Sequence, residues 1–357
     1  MSVIELTTFT VKPDNTAAML AARPGMVAAF RRDRRGFVSA RLVRVDEHTW
    51  LDFVEWTDDT AWDQSRAKGA NRPEIGAFFA TIDTLVSSER GVRYDDERRA
   101  VRTIAYGPNP SQVGELYRPE GDGPFPVVVL IHGGFWTAMF DRRQMTPLAD
   151  ALVGDGYAVW NVEYRRLGED GGGWPGTFDD IAAAVDALDG LDPALDLSRV
   201  QVVGHSAGGQ LAAFAAGRPD AKVTVAKAVS LAGVLDVVTA DADRFGTVLT
   251  DLTAPEPVGA PPATRPELAP VIAEHAGDGI VHYLLGGHRD DVPERYATVT
   301  PPISVPLLSI LGTADDVVPA KYTAHPAAEH VEAPGANHFD VIDPNHPSWD
   351  IVRKWMA

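Results

Sequence analysis

The texture of hydrophobic and polar positions changes once along the chain, near residue 95. Before that point, "VIELTTFTV" (3–11) is rich in β-formers, and "NTAAMLAARPGMVAAFRRD" (15–33) carries its apolar residues at helical spacing. "GFVSARLVRV" (36–45) and "TWLDFVEW" (49–56) are strand-like runs joined by a short polar turn. "DDTAWDQSRAKGA" and "RPEIGAFFATIDTLV" predict an interrupted helix with Pro73 in a first turn, and "SSERGVRYDD" predicts a closing strand. The order is β-α-β-β-α-β, a small ferredoxin-like α+β domain over residues 1–95. Along 49–56, Trp50, Val54 and Trp56 fall on one face and Leu51 and Phe53 on the other. Helices cover only one face of such a sheet, so the second needs another cover, which a second subunit can supply.

A charged joint, "DDERRAVRT" (95–103), leads into a different pattern. "VVVLIHGG", "YAVWNVEY", "RVQVVGHS", "KAVSLAG" and "PLLSILG" are apolar runs without period-two alternation, separated by helical stretches such as "DDIAAAVDALDGL". Alternation of this kind predicts an α/β domain over 96–357, with a mostly parallel sheet and helices on both faces. The Pro-rich stretch 254–270 reads as an irregular excursion within it.

Composition narrows the function. The 357 residues carry 32 Lys and Arg against 50 Asp and Glu, a formal charge of −18. That field repels phosphate backbones and anionic lipid, so neither nucleic acid nor a membrane surface is expected as partner. Cysteine is absent, which removes disulfides, thiolate metal sites and cysteine nucleophiles together. Glu5, Lys12 and Asp14 interrupt any apolar leader, and no run approaches the roughly 18–20 apolar residues of a membrane span, so a cytoplasmic location is expected. No H-E-x-x-H or clustered His/Asp pattern is present, and no metal or cofactor is expected.

Two short stretches carry the chemistry. In "VQVVGHSAGGQLAAFAA" (200–216) a β-branched run turns abruptly into an alanine-rich helix at Gly204-His205-Ser206-Ala207-Gly208. A serine at such a turn has a strained backbone, which neighbours lacking Cβ permit, and its hydroxyl stands at a helix N-terminus that favours a developing anion. Attack on a carbonyl creates an oxyanion that needs preorganised donors. One is the N–H of Ala207. A second loop must bring the others, and "HGGFW" (132–136) ends an apolar strand in two glycines that allow close approach. Gly134 and Phe135 are the expected N–H donors, Gly133 the conformational enabler, and His132 a residue that fixes the loop. Trp136 is assigned to substrate binding, with packing into the core as the other use of so large a side chain.

These stretches resemble the G-x-S-x-G nucleophile elbow and oxyanion loop of the α/β-hydrolase fold. The resemblance implies a triad in the order Ser, acid, His. "PLLSILGTADDVVP" (306–319) matches the pattern G-x-x-D-x-x-V-P and points to Asp315, with Asp316 as the alternative. "VEAPGANHFDVID" then points to His338, with His325, His330 and His346 as competitors. Ser206 would attack, His338 would move its proton, and Asp315 would orient the imidazole. "HGGFW", "GHSAGGQLA", "NHFDVID", "YRRLGEDGGGWPGTFDDI" and "RDDVPERYATVTP" are similar to hormone-sensitive-lipase-like carboxylesterases and, within them, kynurenine formamidases (arylformamidases). The implied activity is hydrolysis of a small-acyl aryl ester or formamide, with an ester, amide or lactone of specialised metabolism as the alternative.

Residues 1–95, through "VIELTTFTVKP", "GFVSARLVR" and "DFVEWTD", resemble the antibiotic-biosynthesis-monooxygenase-like dimeric α+β barrels. That resemblance implies a homodimer through this domain. It also admits a bifunctional enzyme with a cofactor-free oxygenase at its N-terminus, for which Trp56 and Trp62 would be the aromatic stacking groups.

Overall fold

The computed structural model describes residues 3–92, 101–253 and 257–357. The chain forms two compact units, Met1–Glu97 and Arg98–Ala357. The boundary expected between 95 and 96 lies outside the described residues.

The first unit runs β1 (Val3–Thr10), α1 (Thr16–Asp33), β2 (Phe37–Arg44), β3 (Thr49–Trp56), α2 (Asp59–Lys68), α3 (Pro73–Phe79) and β4 (Thr84–Val92). The strands form one antiparallel sheet in the order β2-β3-β1-β4, the ferredoxin-like arrangement. The interruption expected between α2 and α3 is present. Cross-strand pairing puts Val3 opposite Trp56, Glu5 opposite Val54 and Phe9 opposite Trp50, so these side chains share one face. Their apolar members pack with Met19, Met26 and Phe30 of α1 and Ile75 and Phe78 of α3. Arg23 of α1 and Asp52 of β3 form a buried ion pair within that layer. The opposite face carries Ile4, Leu6, Leu51 and Phe53, as the alternation along 49–56 requires. Trp56 is wholly buried in the helix-covered core and is not available as a stacking group. Trp62 packs beneath the guanidinium groups of Arg66 and Arg90.

The second unit is built on β5 (Arg102–Ala105), β6 (Val113–Tyr117), β7 (Phe125–Ile131), α4 (Thr146–Gly154), β8 (Ala158–Val162), α5 (Gly176–Asp186), β9 (Leu195–His205), α6 (Ala207–Gly217), β10 (Lys227–Leu231), α7 (Val237–Ala242), α8 (Ala269–His275), α9 (Ile280–Leu285), α10 (Pro293–Val299), β11 (Leu307–Gly312), β12 (Ala328–Ala333) and α11 (Pro347–Met356). Its eight strands lie in the order β12-β11-β10-β9-β7-β8-β6-β5. The six from β12 to β8 are parallel, and β6 and β5 add an antiparallel edge.

Successive residues of β7 face opposite cores, which explains the missing alternation. Val127, Val129 and Ile131 join Phe178 and Ile181 of α5 and Leu211 and Phe214 of α6. Val128 and Leu130 join Leu148 and Leu152 of α4 and Trp349 and Val352 of α11. From β7 the chain steps to β8 on one side, then returns across β7 to β9 and continues away through β10, β11 and β12. The strand order therefore reverses between β7 and β9, and the crevice beyond their carboxyl ends is where open α/β sheets bind ligands. Both motifs from the sequence emerge there.

Candidate active site

Ser206 sits at the turn between β9 and α6 with φ 54° and ψ −120°, a conformation that disfavours any residue carrying Cβ. Its two flanking glycines are steric necessities. A Cβ on Gly204 would lie 1.9 Å from the Gly208 carbonyl oxygen, and one on Gly208 would lie 2.2 Å from that of Ile131. The second contact brings α6 against the end of β7, and with it the loop that follows. There a Cβ on Gly133 would lie 2.9 Å from Ser206 Cβ. Ser206 N–H donates to Leu231 O at 2.8 Å, anchoring the turn to β10.

The 132–136 loop is held from several sides. His132 meets Glu163 Oε1 through Nε2 at 2.7 Å and stacks on Tyr164, whose hydroxyl donates to His132 O at 3.0 Å. Burial pushes the Glu163 carboxyl upward, but His132 and Arg166 outweigh it and hold the pKa below the ordinary value. Gly133 N–H donates to Gln144 Oε1 at 2.9 Å, and the Thr137 N–H and hydroxyl both donate to Gly134 O. Gly134, Phe135 and Trp136 all have positive φ (108°, 55° and 56°), and two of these are not glycine. The N–H groups of Gly134, Phe135 and Ala207 donate to nothing among the described residues. Three free donors thus gather around the serine turn.

Trp136 corrects an expectation. It is 0% exposed and belongs to the apolar core with Val162, Tyr164 and Leu167, so it has no surface to offer a substrate. Its left-handed backbone turns the indole inward. The residue before it does reach the site's edge: Phe135 is partly exposed and lies 5.6 Å from the ring of Phe245, which in turn lies 5.0 Å from Tyr322.

Asp315 follows β11. One carboxylate oxygen accepts the backbone N–H groups of Val317 and Val318 at 2.9 and 2.8 Å, and the other meets His338 Nδ1 at 2.8 Å. Each side chain of that pair is 2% exposed. Asp316 is exposed to solvent and lies outside this pair. Gly312 allows the two loops to meet, because a Cβ there would lie 2.1 Å from Ala336 O. Ala314 N–H donates to that same oxygen at 2.9 Å. The competing histidines have other partners: His325 and His330 bond to each other near the surface, and His346 caps α11.

Sequence reasoning passed over His205, the variable residue of the serine turn. It is buried, and desolvation, with the nearby His338 adding to it, lowers its pKa well below the ordinary histidine value. The neutral ring therefore donates from Nε2 to His338 O at 2.9 Å, and it packs 4.6 Å from the His338 ring. This ties the residue beside Ser206 to the backbone of the histidine loop. His338 Nε2 and Ser206 Oγ have no hydrogen-bond partner among the described residues. A buried carboxylate–imidazole pair, a strained serine turn and three free N–H donors at one sheet edge are the parts that nucleophilic acyl transfer needs.

The parallel sheet, its helical layers and the serine elbow define the α/β-hydrolase fold. Residues 115–327 match the BD-FAE family model, and the chain belongs to that family of α/β-hydrolase esterases. Residues 2–80 match the model described as antibiotic biosynthesis monooxygenase. Among solved structures, esterase B from Lactobacillus rhamnosis is similar at 20% identity and a TM-score of 0.54, over 83% of this chain and 91% of that one. A truncated carbohydrate esterase from gut microbiota is similar at 18% identity and 0.52, over 74% and 97%. A bacterial heroin esterase is similar at 23% identity and 0.50, over 73% and 83%. No curated protein matches the sequence.

The geometry separates the two neighbouring acids. Asp315→Asn is expected to damage ester hydrolysis far more than Asp316→Asn, since only the former contacts His338. Comparing kcat/KM of the two variants checks this, and the reverse ranking would reassign the acid.

Proposed function

We propose that the protein is a serine hydrolase that cleaves small-acyl aryl esters or formamides through an acyl-enzyme on Ser206. The observation that carries the reading is the Asp315–His338 hydrogen bond set beside the Ser206 turn and its free N–H groups. In this reading Ser206 Oγ attacks the carbonyl carbon while His338 Nε2 takes its proton. Asp315 holds the opposite N–H and stabilises the imidazolium. The tetrahedral oxyanion is received by the N–H groups of Gly134, Phe135 and Ala207. His338 then protonates the departing alcohol or amine, and water activated by the same ring releases the acid. Ser206→Ala is expected to lower kcat/KM by at least ~10³-fold without unfolding the chain. Retained activity in a folded variant would overturn the reading.

The preference for a small acyl group is supported by Phe135. Its N–H is one of the proposed oxyanion donors, so its side chain cannot be far from the acyl carbon, and Phe245 backs it. Each added methylene must displace aromatic surface, typically ~1–3 kcal/mol in a packed site. Felt only in the transition state, that is a fall of roughly 5- to 150-fold in rate. Formyl and acetyl aryl substrates should therefore be preferred over butyryl and longer ones, and Phe135→Gly should narrow the difference. Equal kcat/KM from acetate to hexanoate in the wild type would remove the argument. Trp136, buried in the core, plays no part in it.

For the N-terminal unit we propose self-association through the sheet face bearing Ile4, Leu6, Leu51 and Phe53. No helix among the described residues is long and apolar enough to cross a membrane. Removing residues 1–95 is expected to turn a dimer into a monomer with at least partial esterase activity. Sedimentation checks this, and a monomeric full-length protein would contradict it.

A further inference from the structure

Three side chains with ligand chemistry meet away from Ser206, on the helical segment between β10 and β11. Asp241, in α7, is 5% exposed. Its Oδ1 accepts from His288 Nδ1 at 2.9 Å, and its Oδ2 accepts the backbone N–H of Arg289 at 3.1 Å. His282, on α9, stands beside them with its ring 4.2 Å from that of His288. Its Nδ1 is buried and has no hydrogen-bond partner. One ligating atom from each of the three residues lies within 4.8 Å of the others.

We propose that Asp241, His282 and His288 form a binding site for one divalent transition-metal ion, zinc above all. A buried ring nitrogen without a partner loses its hydration on folding and receives nothing in return, and the two adjacent imidazoles, tilted by 50°, make no hydrogen bond to each other. A cation resolves both. The donor set selects its kind: two imidazole nitrogens and one carboxylate oxygen suit zinc, nickel or cobalt, whereas magnesium and calcium favour all-oxygen sets. Ligands held at about 2.05 Å in a tetrahedron stand about 3.3 Å apart, so the present cluster needs only a small closure of side chains. The second carboxylate oxygen is already oriented by Arg289 N–H, the kind of outer support that metal ligands have. The His288 side chain is 36% exposed, which leaves a way in and room for a water as fourth ligand.

The site would act as a brace. Asp241 belongs to α7, and the other two ligands to α9 and the turn after it. Between these, Phe245 O accepts the N–H of Ile280 at the start of α9 at 2.8 Å. An ion joining the two ends would fix the segment that carries Phe245. No three-residue motif in the sequence announces this, because the ligands lie at 241, 282 and 288 and only the fold unites them.

The test uses full-length protein stripped with chelator and then given Zn²⁺, Ni²⁺ or Co²⁺ singly, followed by titration calorimetry and thermal unfolding. One saturable site per chain is expected, with an unfolding temperature raised by about 5–10 °C at a hundredfold excess over Kd. His282→Ala and His288→Ala should each weaken binding at least tenfold. The double variant His325→Ala/His330→Ala, which removes an unrelated histidine pair, should bind as wild type. His288 is partly exposed, so its variant is expected to fold, and circular dichroism verifies that. Absence of saturable binding, or binding that survives both ligand substitutions, would overturn the site. Neither readout uses ester cleavage, so the result is independent of the role given to Ser206.

Discussion

Around the end of β7 and the start of α6 the backbone approaches itself more closely than any side chain permits. Gly208 lies against the carbonyls of Ile131 and His132, Gly204 against Gly208, and Gly133 against Ser206 and His205. These contacts weld the turn that presents the serine to the loop that presents free N–H groups, at the point where the strand order reverses. Loss of any one of them would force apart elements whose separation sets the site. The apolar strands matter here chiefly because β7 and β9, buried on both faces, leave the two turns no freedom to drift.

The histidine side of the site obeys the same logic by different means. Gly312 lets the loop after β12 rest on the loop after β11, and Asp315 is held by two backbone N–H groups as well as by His338. His205 then crosses from the serine turn to the His338 backbone. A neutral, buried imidazole suits that task, since it donates one hydrogen bond without bringing a charge into the centre of the site.

Much of this is legible in the amino-acid sequence. The strand-turn-helix around Ser206 and the glycine loop at 132–134 follow from residue types at fixed spacing, where backbone geometry demands glycine, whereas the choice of Asp315 over Asp316 is what the resemblance to the hydrolase pattern G-x-x-D-x-x-V-P implies. The layer patterns of both units can be read from where apolar residues alternate and where they do not. Side-chain direction and long-range assembly are not encoded so locally. Nothing in "HGGFW" says that Phe135 stays at the rim while Trp136 turns into the core, because that depends on two consecutive left-handed residues. Phe245 and Tyr322 lie far from residue 135 in sequence, and Trp56 lends itself to either face of a sheet until the helices are placed. His205 does carry a local signal, since it is the one side chain fixed next to the serine by the motif itself.

The burial of Trp136 has a consequence for how the loop behaves as a part. Its indole is a plug in the main apolar core, and the backbone immediately before it carries two of the unpaired N–H groups. The donors cannot swing away or reorient without drawing a large aromatic ring out of its socket. The loop therefore has no soft mode of its own: its rigidity is borrowed from the core, and its alignment should persist for as long as that core does. These N–H groups are set in place when the domain folds.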